Sequence, residues 1–145
     1  MVTIAAKDAE SFIKKDFSRF SIILLYGPDE GLVSERAEII AHDITNNDSA
    51  NILRFDGDGI AADPMRLTDE ANSISMFGGI RALRLKAGSK TLIPALETLL
   101  AKPPQDAKVI VEAGDIKTAG AIKIIGADHD IINGHWIGLS NLESH

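Results

Sequence analysis

The 145-residue chain contains no cysteine, which excludes a disulfide framework, a thiolate metal site and any cysteine nucleophile. It also lacks a long apolar run. Phe20 to Tyr26 is the longest, far short of the roughly 20 residues that a membrane-spanning helix needs. Near its N-terminus stand Lys7, Asp8 and Glu10 instead of the apolar stretch of a secretory signal, so the expected location is cytoplasmic, with no membrane partner. Excess positive charge is missing too. The formal net charge is -6, whereas a dedicated nucleic-acid binder clusters Lys and Arg to neutralise phosphates. No G-x-S-x-G nucleophile elbow occurs, so hydrolase chemistry has no visible apparatus.

What remains is ordinary globular composition, 45% hydrophobic and 25% charged, with no internal repeat and no linker-like tract. Strand-like runs alternate with helix-like runs, the pattern of a mostly parallel sheet flanked by helices in three α/β layers. Strands are predicted at Val2 to Ala5, Phe20 to Tyr26, Asn51 to Phe55, Ile80 to Lys86 and Lys108 to Ala113. The run from Phe20 is apolar on both faces, as in a central strand. Helices are predicted over Asp8 to Lys15, from the loop after Tyr26 to Asn46, from Asp63 to about Ser75, and over Lys90 to Lys102. The second of these places Val33, Ala37, Ile40 and Ile44 on one stripe. The third has Asp63 as N-cap and Pro64 in the first helical position. The fourth turns Leu92, Leu96, Leu99 and Leu100 inward, and Pro103-Pro104 ends it. From about Lys117 the periodicity fades.

The segment after the Phe20 strand sits where a phosphate-binding loop belongs in a nucleotide-binding fold. A working loop reads G-x-x-x-x-G-K-[ST], with glycines that open backbone N–H groups to phosphate and a lysine that neutralises it. Counting from Gly27, Leu32 holds the second glycine position, Val33 the lysine position, and only Ser34 matches. Asp29 and Glu30 would occupy the positive end of the helix dipole and repel an anion. Read alone, the loop is better taken as a plain strand-to-helix turn, with Gly27 and Gly31 supplying permissive backbone and Asp29 or Glu30 satisfying helix N–H groups. The Ile80 to Lys86 strand ends without the paired acids that would hold magnesium, so both charge-neutralising elements of phosphoryl transfer are missing.

Other constellations are thinner. Asp56-Gly57-Asp58-Gly59 stops after two carboxylates and reads as a turn, not a calcium loop. Asp128, His129, Asp130 and His135 lack metal-ligand spacing, and no metal or cofactor is expected. Arg66, Arg81, Arg84 and Lys86 could form a small basic patch or a solvated face. Met76-Phe77 stands before Gly78-Gly79, where the chain must turn; one of the pair is free to face outward as a docking patch, or Phe77 to fold back under the next strand as a plug at the helix end.

Taken in order, Leu24 to Val33, Arg54-Phe55-Asp56-Gly57 and Ile74-Ser75-Met76-Phe77-Gly78-Gly79 resemble the N-terminal domain of the delta subunit of the bacterial DNA polymerase III clamp loader. The resemblance implies a degenerate P-loop NTPase (AAA+-like) domain over residues 1–116 that has lost ATP binding. Its task would be to bind and help open the ring-shaped sliding clamp (the beta subunit) for loading onto primed DNA. Family members grip the clamp with a segment like Gln-x-x-Ser-Leu-Phe; here Asn72 stands for Gln, Ser75 for Ser, Met76 for Leu and Phe77 for Phe, with Ile74 between. Met is close to Leu in volume and more adaptable, while Asn72 is one methylene shorter than Gln. The resemblance further implies a non-catalytic part of a nucleotidyltransferase holoenzyme, with the other clamp-loader subunits as partners of the full-length protein. The family's second AAA+ subdomain and collar are missing, so the chain reads as a fragment, and residues 117–145 do not follow the family pattern. The rival expectation is a P-loop nucleotide-binding enzyme, a kinase or NTPase fragment with an atypical loop.

Overall fold

Four short runs rich in Ile, Leu and Val form one parallel sheet: β1 (Ile22–Leu25), β2 (Ile52–Asp56), β3 (Arg81–Lys86) and β4 (Ala107–Glu112). The computed structural model describes residues 22–25, 30–73, 78–90 and 92–113. The strand order is β1-β4-β3-β2, and the register aligns Leu25, Glu112, Lys86 and Asp56 in one row at the carboxyl edge. The expected strand at residues 2–5, the helix at 8–15 and the segment 117–145 lie outside the described residues.

Two apolar layers follow from the alternation of side chains along each strand. Ile23, Leu25, Ala82 and Ile110 pack under helix α1 (Glu30–Thr45), against Val33, Ala37, Ile40, Ala41 and Ile44. On the opposite face Ile22, Leu24, Leu83, Leu85, Val109 and Val111 meet Ile60, Leu67, Leu92, Leu96 and Leu99. These belong to, or adjoin, α2 (Gly57–Ala62), α3 (Pro64–Asn72) and α4 (Ile93–Ala101). The arrangement is the three-layer, parallel-sheet α/β class that the sequence pattern predicts. Strands apolar on both faces are the consequence of helices on both sides.

The stripe on α1 is buried as its spacing predicts, and the helix ends at Asn46 and Asn47, both left-handed with φ of 56° and 65°. The Asn47 N–H donates to the His42 carbonyl at 2.8 Å, and the two asparagines tolerate this conformation better than other non-glycine residues.

Several boundaries differ from expectation. Asp56 to Gly59 is not a plain turn but the start of α2. Asp56 caps it by accepting from the Gly59 N–H at 3.3 Å, and the fully buried Ile60 anchors it. Asp63 does stand at the N-cap of α3, but its side chain makes no capping bond; its carbonyl oxygen accepts from the Arg66 N–H at 3.0 Å. That helix ends at Asn72, with Ser73 extended, instead of running to Ser75. α4 starts at Ile93 and not at Lys90, because Asp58 holds the preceding turn, accepting from the Lys90 N–H at 2.9 Å and the Ser89 hydroxyl at 3.3 Å. In α4 Leu96 and Leu99 are buried and Leu100 is half-buried.

Candidate functional site

The carboxyl edge of the sheet is where a nucleotide would bind in an open α/β fold. Here β1, β4 and β3 end against the first turns of α1. Of the degenerate loop, Gly27 and Asp29 lie outside the described residues. Glu30 opens α1 and is exposed, Gly31 is exposed, Leu32 is half-buried, Val33 turns into the core and Ser34 is exposed. Glu30, Val33, Ser34, Lys86, Ala87, Glu112 and Ala113 line a recess of only about 30 Å³. Small-molecule sites are roughly ten times larger or more.

Beneath that recess lies an ion pair that was not anticipated. Arg84 grips Glu112 with two hydrogen bonds, Nε to Oε2 at 2.8 Å and Nη2 to Oε1 at 3.1 Å. Both side chains are almost fully buried, 4% and 9% exposed. Nη2 also reaches the Ser34 carbonyl oxygen at 3.3 Å and Oγ at 3.4 Å. The register explains the meeting: Lys86 pairs with Glu112 and Arg84 with Ile110, so Arg84 and Glu112 are diagonal neighbours on the α1 face. A signal was available. Arg84 interrupts an apolar strand and Glu112 closes another, and opposite charges in strands buried on both faces require each other.

Among the described residues of this edge, the Glu112 carboxylate is neutralised internally, the surviving Ser34 hydroxyl faces a guanidinium, Glu30 adds an exposed carboxylate at the helix start, and β3 ends in the exposed Lys86 followed by Ala87. No group of three or more His, Asp or Glu among the described residues is placed to hold a metal ion. Asp128, His129, Asp130 and His135 lie outside them.

The basic patch does not form. Arg81 and Arg84 are buried, and Arg66 stacks over the Phe55 ring at 5.4 Å, leaving Lys86 as the one exposed cation of the four without such an anchor. The reason is that β3 is an inner strand, so its arginines must find partners within the fold.

The second candidate lies at the opposite end of the sheet, where α3 ends. Ile74, Ser75, Met76 and Phe77 lie outside the described residues, but the chain on either side is placed. Before them, Arg81 donates from Nη2 to the Ala71 and Ser73 carbonyl oxygens at 3.1 and 2.7 Å, and from Nη1 to Ser73 Oγ at 3.0 Å. Asn72 donates from Nδ2 to the carbonyl oxygens of Thr68 and Lys102 at 3.0 and 3.1 Å, which braces α3 against the end of α4. After them, Gly78 and Gly79 adopt φ of 72° and 85°, and Asn51 Nδ2 donates to the Gly78 carbonyl oxygen at 3.4 Å. Asn72, Ser73, Gly78 and Gly79 are all exposed. Beside this exit Ala71, Asn72, Ser73, Lys102, Pro103, Gln105 and Asp106 line a shallow recess of about 290 Å³.

Among the described residues no helix is long and apolar enough to cross a membrane. No protein-family model and no curated protein matches the chain. Among solved structures it is similar to a DNA polymerase III, gamma subunit-related protein from Thermotoga maritima, with a TM-score of 0.62 at 16% sequence identity. The match covers 92% of this chain and 45% of the other, so the chain spans less than half the length of that neighbour. At this identity the likeness is one of fold.

Proposed function

We propose that the chain is a clamp-loader module of the delta-subunit type, which binds the sliding clamp and helps to open it for loading onto primed DNA without binding ATP. The observation that carries this reading is the pair of braced, exposed chain ends around Ile74-Ser75-Met76-Phe77. Arg81 and Asn72 hold the chain before this segment and Asn51 the chain after it, so both points from which the segment departs are fixed and exposed. The fold shared with a DNA polymerase III, gamma subunit-related protein supports the same direction. The closed carboxyl edge, with Arg84 committed to Glu112, favours it over the P-loop enzyme.

In this reading residues 1–116 form the clamp-binding domain, and Met76 and Phe77 enter an apolar pocket on the clamp. Burying them contributes roughly 1.5–3 kcal/mol each. Ser75 and the Oδ1 of Asn72 are the polar contacts of the same surface, since the Asn72 amide nitrogen already serves the fold. Docking alone does not open a ring. A ligand shifts an equilibrium only as far as it binds one state more tightly, so the α3 exit must fit the clamp better with its nearby interface parted. Timing by ATP falls to partner subunits in the loader, and contact with DNA is made through the complex.

The test is calorimetric titration of the 145-residue chain with a bacterial sliding clamp, alongside a Met76→Ala/Phe77→Ala variant. The expected result is binding by the parent and a loss of about thirtyfold or more in the variant. A folded parent that ignores the clamp, or that binds ATP with magnesium, overturns the reading.

A further inference from the structure

The Arg84–Glu112 pair joins three elements that a nucleotide site leaves for its ligand to join. Arg84 comes from β3, Glu112 from the end of β4, and Ser34 from the second turn of α1. In a phosphate-binding α/β site the start of the loop helix and the strand ends carry unneutralised groups that a bound anion and its cation bridge. Here one guanidinium supplies the bridge from within the chain. It is bidentate on Glu112 and reaches both the carbonyl and the hydroxyl of Ser34. The space left above it, about 30 Å³, is on the scale of one or two waters.

We propose that Arg84 is an internal tether, a built-in substitute for a ligand that holds the first turns of α1 against the ends of β3 and β4 in one closed arrangement. The start of α1 is then held in place constitutively and has no open state for a nucleotide to select, because a ligand shifts only an equilibrium whose two states differ in affinity for it. This goes beyond the clamp-binding reading and does not depend on it. It also separates two roles for the pair. An arginine present only to fill the core contributes to global stability, whereas a tether contributes locally, at the α1 start.

Hydrogen exchange by NMR on the 145-residue chain distinguishes the two roles, because local opening and global unfolding are read separately amide by amide. The variants are Arg84→Met/Glu112→Leu, which replaces both charges by apolar groups, and Arg84→Lys, which keeps the charge but not the fork that reaches two partners at once. The expected result is a loss of protection of about tenfold or more at the amides of Ser34 and Glu35 in both variants, with those of Ile40 and Ala41 in the same helix unchanged. Equal loss along α1, or no loss at its start, overturns the tether and leaves the pair as packing. If the double variant does not fold, Arg84→Lys is read by the same criterion.

Discussion

The Arg81 guanidinium closes the end of α3 by donating to the Ser73 carbonyl oxygen at 2.7 Å, across eight residues of sequence. Arg81 is the first residue of β3, so a strand places a cation at the negative end of a helix dipole and satisfies carbonyls that the helix itself cannot. The same contact sets where the chain leaves α3, one residue before the segment assigned to clamp docking. Fold and proposed site therefore share one side chain.

Replacing Arg81 by Met keeps the apolar stem and removes every one of these bonds. Hydrogen bonds from a charged donor are worth roughly 1.5–3 kcal/mol, and the variant also strands helix-terminal carbonyls. A loss of at least about 2 kcal/mol in urea denaturation is expected. A change under about 0.5 kcal/mol, the range of ordinary surface substitutions, would show that water replaces the guanidinium.

For Arg84 and Glu112 the prediction is non-additivity. Each single variant, Arg84→Met or Glu112→Leu, leaves a buried charge alone and should cost about 3–5 kcal/mol. The double variant should cost much less than the sum, because two apolar side chains carry no desolvation penalty. Additive losses in a double-mutant cycle would mean that the two residues do not depend on each other.

Gly57 supports a different contact. A Cβ at this position would strike the Lys86 carbonyl oxygen and lie 3.1 Å from the Ala87 Cα, so the start of α2 presses directly on the exit of β3. Backbone cannot swing aside as a side chain can. Gly57→Ala should therefore destabilise by about 1–3 kcal/mol, although alanine is the better helix former. A neutral or stabilising result, read from the thermal midpoint, would show that α2 shifts freely.

How much of this was legible follows from which signals are local. The strands and the Val33-Ala37-Ile40-Ile44 stripe were readable because periodicity is a property of neighbouring residues. α2 was not, since Gly57 and Gly59 are poor helix formers and the helix owes its existence to the Asp56 cap and to burial of Ile60. The start of α4 was misplaced because Asp58, some thirty residues upstream, holds Ser89 and Lys90 in a turn. Arg81 and Arg84 read as surface cations because their partners, Ser73 and Glu112, are chosen by the way β3 packs against α3 and β4. At the candidate docking site the motif at 72–77 was visible as letters, while the supports from Asn51 and Arg81 emerge only from tertiary structure.

Lys108 gives the chain a pH dependence of definite sign. It lies on β4, almost wholly buried, and burial penalises its charged form and lowers its pKa from 10.5. The folded state therefore gives up this proton at lower pH than the unfolded state, which holds it up to 10.5. Between those two values the unfolded chain binds more protons, so raising the pH favours folding through this group, and the penalty is fully present below the folded value. Lys108→Met abolishes the titration. The stability of the parent relative to that variant should accordingly be lowest below the folded value, rise as the pH climbs from there toward 10.5 and level off above it, as measured by urea denaturation at a series of pH values. A constant difference across the series would mean that the ammonium stays solvated in the folded protein, contrary to its burial on β4.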